Sequence, residues 1–262
     1  MSAGRASVAL VTGGSRGLGR AIADALLARG WSVVTDARHA VELEAAAAEL
    51  RSGSPAAVRL TAVAGDVGDP GHRDALMRSA ADLGGLDVVV NNAGILGPSP
   101  QPSLAGYPLE RLRDVYEANT IAPLAVIQTA LPLLRRSRDP RVLNITSDAA
   151  IEAYEGWGGY GSSKAALDQL GRVLAAEETW LRVWNLDPGD MATEMHQLAF
   201  PGEDISDRPT PQSVVGRVLD LIHSSRPRGR YRAAELNAQG HALAPRCIPP
   251  RDASARALDA GR

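Results

Sequence analysis

At 262 residues the chain is long enough to bury a full core, and one domain of the larger α/β kind fits that length as well as two small ones. With 45% hydrophobic and 22% charged residues it is not a disordered chain, and a net charge of −2 removes any global pull toward nucleic acid or an anionic membrane. Cys247 is the only cysteine, which excludes an internal disulfide; with no signal-peptide pattern and no uncharged apolar run approaching ~18 residues, the expected location is the cytoplasm.

Residues 6–12 form a β-branched run that ends in Gly13-Gly14-Ser15-Arg16-Gly17-Leu18-Gly19, and residues 20–29 carry helical spacing. This is strand, glycine loop, helix. Such a loop lets backbone N–H groups approach a phosphate, and the helix dipole favours negative charge there. The spacing is GxxxGxG, distinct from the GxGxxG of the better-known dinucleotide fingerprint.

The alternation continues with strands over 31–35, 58–64 and 86–90 and helices over 40–50 and 70–83. After a proline- and glycine-rich loop over 96–108, a long helical stretch covers 109–136, with Pro123 and Pro132 expected to bend or break it. A fifth strand at 141–145 leads to Thr146-Ser147, a helix bearing Tyr160 and Lys164 runs to about 178, and a sixth strand at 181–186 ends at Pro188-Gly189. Residues 191–211 lack periodicity and are expected to form a mobile flap with room for a short helix; a helix over 212–224 and a strand over 229–234 follow. From 237 onward the composition predicts an irregular tail. Apolar strands alternating with helices require a parallel sheet covered on both faces, so the fold class is α/β in one domain over 1–236.

Tyr160 and Lys164, in Tyr-Gly-Ser-Ser-Lys, are four residues apart and so share one helix face. A free phenol ionises near pH ~10, and a cation one turn away would bring that closer to neutrality. Lys164 is also the only lysine among 28 basic residues, at a position where a guanidinium would differ in reach and geometry.

In order along the chain, Thr12-Gly13 through Gly19, Asp66-Val67, Asn91-Asn92-Ala93-Gly94, Asn119, Ser147, Tyr160 with Lys164, and Pro188-Gly189 with Thr193 resemble the short-chain dehydrogenase/reductase family over roughly 7–234. The resemblance implies a Rossmann-type doubly wound sheet and an oxidoreductase that moves a hydride between a nicotinamide cofactor and a carbonyl or secondary alcohol. It implies that Tyr160 is the acid/base, that Lys164 lowers its pKa and holds the nicotinamide ribose, that Ser147 orients the substrate oxygen, and that Asn119 steadies a water chain behind the lysine. For the cofactor it implies Gly13, Ser15, Arg16, Gly17, Leu18 and Gly19 at the phosphates. Asp66 with Val67 would lie near the adenine, Asn91 near the adenosine ribose, and Ala93 and Gly94 beside it. Pro188 and Gly189 would meet the nicotinamide end, with Thr193 near the nicotinamide amide or the phosphates. No metal is implied. The alternative is a dinucleotide-binding sensor or scaffold of the same fold.

Two counts bear on NADP against NAD. Asp36 lies 19 residues past Gly17, where an acid would bind ribose hydroxyls. Counting from Gly30 instead puts the discriminating position at Ala37 with Arg38 after it, and Arg38 with Arg16 could clamp a 2′-phosphate, so NADP is the preferred cofactor.

The chain departs from the family pattern at Asp187 and Asp190, which with Asp148, Glu152 and Glu155 predict an acidic pocket mouth. Ile95, Leu96, Tyr154, Trp157, Met191 and Met195 suggest a partly hydrophobic small-molecule carbonyl or alcohol as substrate. The unusual C-terminal segment favours a homodimer through the helices carrying Asn119 and Tyr160 over a tetramer.

Overall fold

The structure, a computed structural model, describes residues 5–55 and 58–236. The tail expected over 237–262, with Cys247, lies outside the described residues. The first half runs β1 (Val8–Val11), α1 (Gly17–Ala28), β2 (Ser32–Ala37), α2 (Ala40–Ser52), β3 (Leu60–Ala64), α3 (Pro70–Asp82) and β4 (Val88–Asn91). The second runs α4 (Leu109–Tyr116), α5 (Ala122–Leu134), β5 (Arg141–Ile145), α6 (Gly158–Glu177), β6 (Arg182–Asp187), α7 (Glu194–Ala199), α8 (Pro211–His223) and β7 (Gly229–Arg232). All seven strands pair in parallel, in the order β3-β2-β1-β4-β5-β6-β7. The order reverses between β1 and β4, and in such sheets the crevice outside the strand carboxyl ends at that point is where ligands bind.

Side chains alternate along a strand, so β1 feeds both layers. Ala9 and Val11 join Ile22 and Leu26 of α1 with Val218 and Ile222 of α8 on one face. Val8 and Leu10 join Leu76 of α3 with Val126 and Leu134 of α5 on the other. Each such leucine or isoleucine contributes roughly 1.5–3 kcal/mol by leaving water. No described helix is long and apolar enough to cross a membrane.

Polar residues inside the sheet are joined to one another. Asn91, Asn144 and Asn185 stand in register on β4, β5 and β6. The Asn91 amide donates to Asn144 at 2.9 Å, Asn144 to Asn185 at 2.9 Å, and Asn185 to the Asp168 carbonyl of α6 at 2.8 Å. A buried amide without partners costs about 1–3 kcal/mol, so this ladder holds three strands and α6 in one register.

Two boundaries differ from expectation in ways that matter. β2 continues to Ala37, two residues past its expected end, which draws Asp36 into the sheet. The helical stretch over 109–136 is interrupted at a π-turn, Glu117–Ile121, and neither proline breaks it. Pro123 is the second residue of α5, directly after the π-turn. Pro132 is the third residue from the end of α5, within its last turn. Residues 191–211 do contain a short helix, α7, and the Ala192 N–H donates to the Pro209 carbonyl at 2.9 Å across the segment.

Candidate active site

A cleft of about 1370 Å³ follows the carboxyl ends of the strands from β2 to β6. Its floor at one end is the glycine loop. Gly13 has φ +72° and Gly17 φ +56°, conformations that a side chain would strain. A Cβ on Gly19 would stand 2.3 Å from the Gly13 carbonyl oxygen, so only glycine lets α1 press this closely on the loop. The Thr12 hydroxyl accepts the N–H groups of Asn92 and Ala93, each at 3.0 Å, and the Asn92 amide donates to the Thr12 carbonyl at 2.9 Å. These bonds lock Ala93-Gly94 to the loop. No side chain caps α1, whose first-turn N–H groups and positive dipole end are available to an anion.

Gly13, Ser15, Arg16, Gly17 and Leu18 line this end of the cleft, as do Arg38, Asp66 and Val67. Ala93, Gly94, Pro188, Gly189 and Thr193 line it further along. Gly19 and Asn91 do not. Gly19 is spent on packing, and the Asn91 side chain, 3% exposed, faces into the sheet, bonded to Asn144 and the Pro123 carbonyl. Its neighbour Asn92 reaches the cleft instead.

Asp36 is fully engaged. One carboxylate oxygen accepts the Gly13 N–H at 2.8 Å and the other pairs with His72 Nε2 at 3.0 Å, with the residue 1% exposed. Arg38 is exposed and has no ion-pair partner among the described residues, whereas Arg16 meets Glu194 of α7 and, at 3.9 Å, Glu42.

The other end of the cleft holds Ser147, Tyr160 and Lys164 together. Lys164 is buried; its Nζ donates to the Ile145 carbonyl at 2.9 Å and lies 5.6 Å from the centroid of the Tyr160 ring. Burial lowers its pKa to about 8, against the opposing pull of Asp168. Tyr160 does not follow the expectation that Lys164 makes it more acidic. Burial, with the carboxylates of Asp148 and Asp187, pushes its pKa above the ordinary phenol value. The cost of removing a phenolate from water outweighs the lysine one turn away, whose ammonium is directed at a backbone carbonyl.

The Ser147 hydroxyl donates to Asp148 at 2.9 Å and accepts the Ala149 N–H at 3.2 Å. Asn119 lies behind the cleft in the π-turn. Its carbonyl oxygen accepts the Ile95 N–H at 2.8 Å, and its amide donates to the Ile95 carbonyl at 2.8 Å and to Ser163 at 3.0 Å. Both donors are therefore taken, and Asn119 ties the segment after β4 to α6.

Ile95, Leu96, Trp157, Met191 and Met195 line the cleft, but Tyr154 does not; its hydroxyl donates to Asp148 at 2.9 Å. Trp157 packs edge-on against Tyr160 at 5.9 Å, with Phe200 behind it, also at 5.9 Å. Asp190, Glu152 and Glu155 are exposed as a mouth carboxylate should be, whereas Asp187 is 3% exposed. Its oxygens accept the Gly189 N–H at 3.0 Å and pair with Arg230, so it belongs to the interior and not to the rim.

The model of the family described as short chain dehydrogenase matches residues 7–204. The chain belongs to that family. Among curated short-chain dehydrogenase relatives, the 1-deoxy-11-beta-hydroxypentalenate dehydrogenase of Streptomyces exfoliatus is 37% identical over 226 residues, covering 83% of this chain and 80% of the relative. The sepiapterin reductase of Xenopus tropicalis is 33% identical over 72% of this chain and 76% of its own. A short-chain dehydrogenase from Shigella flexneri solved with NADP superposes with a TM-score of 0.79 at 27% identity, covering 87% and 97% of the two chains.

Family motifs point to Tyr160, Lys164 and Ser147, but sequence reasoning passed over Asn92, the Ile145 carbonyl, His72, Asp168 and Arg230. For Asn92 a signal existed: of two adjacent asparagines at a strand end, alternation must turn one inward and one toward the cleft.

Proposed function

We propose that the protein is an NADP-preferring oxidoreductase that reduces the carbonyl group of a small, partly hydrophobic substrate to a secondary alcohol, with Tyr160 as the proton donor. What carries the reading is the burial of one phenol and one ammonium side by side at the end of a glycine-floored cleft. The cleft suits a dinucleotide: two glycines in left-handed backbone, an uncapped helix start and a close approach of Gly94, where an added Cβ would stand 2.8 Å from Asn119 Oδ1 and 3.6 Å from Lys164 Nζ.

A bound dihydronicotinamide would supply the hydride that adds to the carbonyl carbon. Tyr160 gives its proton to the carbonyl oxygen, and the phenol is protonated at neutral pH, as the reductive direction requires. Lys164 then faces the new phenolate as a cation and would hold the ribose hydroxyls. Ser147 turns its hydroxyl from Asp148 to the substrate oxygen, and Asn119 keeps Ile95 and α6 at fixed separation. Trp157, Leu96 and Met195 exclude water around the reacting atoms.

Preference for NADP follows from how the charges are used. Asp36 is 1% exposed with each carboxylate oxygen already holding a partner, while Arg38 is exposed and has no ion-pair partner among the described residues. The Arg16–Glu194 pair is more than half exposed on both sides, so it is worth at most about 1 kcal/mol and yields readily to a phosphate. Arg38→Ala is expected to raise the Kd for NADPH at least about tenfold and leave NADH nearly unchanged, by fluorescence titration. Equal affinity of the parent protein for both would end the NADP preference. For assembly, exposed Ile121 in the π-turn and Val173 on α6 support a homodimer through these helices. Sedimentation at micromolar concentration should give a dimer, and a monomer would refute it.

A further inference from the structure

The last strand places a charge beneath the site that the reaction as described does not use. Arg230 of β7 pairs in register with Asn185, and its side chain crosses under β6. Its Nε meets Asp168 at 2.9 Å; its Nη2 donates to the Ser147 carbonyl at 2.9 Å and lies 3.4 Å from Asp187. The three side chains are 10%, 5% and 3% exposed. Burying an ion pair this deeply gains little stability over apolar packing, so stability alone does not account for it.

The two carboxylates have an address. Asp168 lies one helical turn beyond Lys164 on α6, and Asp187 ends β6, where it accepts the Gly189 N–H in the cleft wall. Removing Arg230 would leave both anions in low-dielectric surroundings next to the proton-transfer pair. We propose that Arg230 is a positioning residue for Tyr160 and Lys164: its guanidinium anchors the Ser147 backbone and cancels the field of Asp168 and Asp187 at the site. The inference rests on the acid–base reading of Tyr160 and Lys164 above.

The charges involved come from every neighbouring element. Asp148 after β5 and Asp187 of β6 act on Tyr160, and Asp168 of α6 acts on Lys164. Arg172 of α6 acts on Asp168, and Arg232 of β7 lies 3.5 Å from Asp187, half-exposed. Asp168 keeps a pKa raised by burial despite the Arg230 beside it, so the guanidinium offsets only part of what burial costs.

The single lysine makes the test direct. In the cofactor-free full chain labelled with 13Cε-lysine, one NMR signal reports the ionisation of Lys164. Arg230→Met is expected to raise its midpoint by about one pH unit, because two anions lose the guanidinium between them and a like charge is lost. Adding Asp168→Asn to that variant should bring the midpoint back down. Where Arg230→Met fails to fold, Asp168→Asn and Asp187→Asn alone should each lower the midpoint, since each leaves Arg230 in excess. A staple that merely fastens β7 to the sheet would cost stability and leave the signal unmoved, and an unmoved midpoint in the folded variants overturns the proposal. The readout needs no turnover. An error in the catalytic reading would instead appear as a Tyr160→Phe enzyme that still turns over.

Discussion

Tyr160→Phe is expected to cut the rate of carbonyl reduction by about 10²–10⁴-fold while NADPH binds within about twofold of wild type. The substitution removes one oxygen from a ring that stays packed under Trp157, so cleft shape and cofactor contacts persist. Only the proton donor is lost. The two buried groups add a pH signature: reduction needs the protonated phenol and the Lys164 cation, so its rate should hold at neutrality and fall as Lys164 loses its charge above pH about 8, while the phenol stays protonated further into the alkaline range. The reverse oxidation needs the phenolate and should rise with pH over the same span. Stopped-flow absorbance of the nicotinamide, in both directions, reads both limbs. Turnover that survives in the variant would mean that another group is the acid.

Lys164→Met should remove activity and yet stabilise the cofactor-free protein near pH 7. The lysine ionises near 8 in the fold and at 10.5 as a model group, so at neutral pH the buried ammonium costs on the order of 3 kcal/mol. The bond to the Ile145 carbonyl returns about 1 kcal/mol of that, leaving a gain of roughly 2 kcal/mol for methionine. The sign follows from proton counting. Between pH 8 and 10.5 the unfolded chain binds more protons than the folded one, so wild-type stability rises through that window and the advantage of the variant shrinks. Urea unfolding at pH 7 and pH 10 measures it. A variant less stable than wild type at pH 7 would show that the ammonium supports the fold.

What the sequence made legible was local. Helix geometry places Tyr160 and Lys164 on one face, glycine spacing marks a loop, and the alternation of apolar runs requires a parallel sheet. What it hid depends on burial and on distant partners. Adjacency to Lys164, visible in a string of letters, predicts a lowered Tyr160 pKa, whereas desolvation, which is not visible there, raises it. Its count of 19 residues past Gly17 marks Asp36 as a ribose ligand, yet β2 runs on to Ala37, and inside the strand the carboxylate meets Gly13 and His72. Pro123 and Pro132 are the visible helix breakers over 109–136, yet the interruption falls at the π-turn that carries Asn119, whose side chain spans to Ile95 and Ser163. Arg230 carried no local signal at all: its partners lie 62, 83 and 43 positions away.

The same distinction explains Asn91. A motif of two asparagines names the neighbourhood, and only strand register decides which one joins the ladder with Asn144 and Asn185. The acidic mouth divides in the same way. Asp190 stays on the rim, whereas Asp187 is drawn inside by β7, whose charges appear 43 and 45 residues later in the chain.

The central claim is that this cleft seats a nicotinamide dinucleotide with its reactive ring at Tyr160 and Lys164. A crystal structure of the protein with NADPH tests it most directly. The account predicts the nicotinamide against Tyr160, its ribose hydroxyls on Lys164, the pyrophosphate over Gly17 and the 2′-phosphate at Arg38. A dinucleotide whose nicotinamide lies away from Tyr160, or a glycine loop that takes none at saturating NADPH, would contradict it.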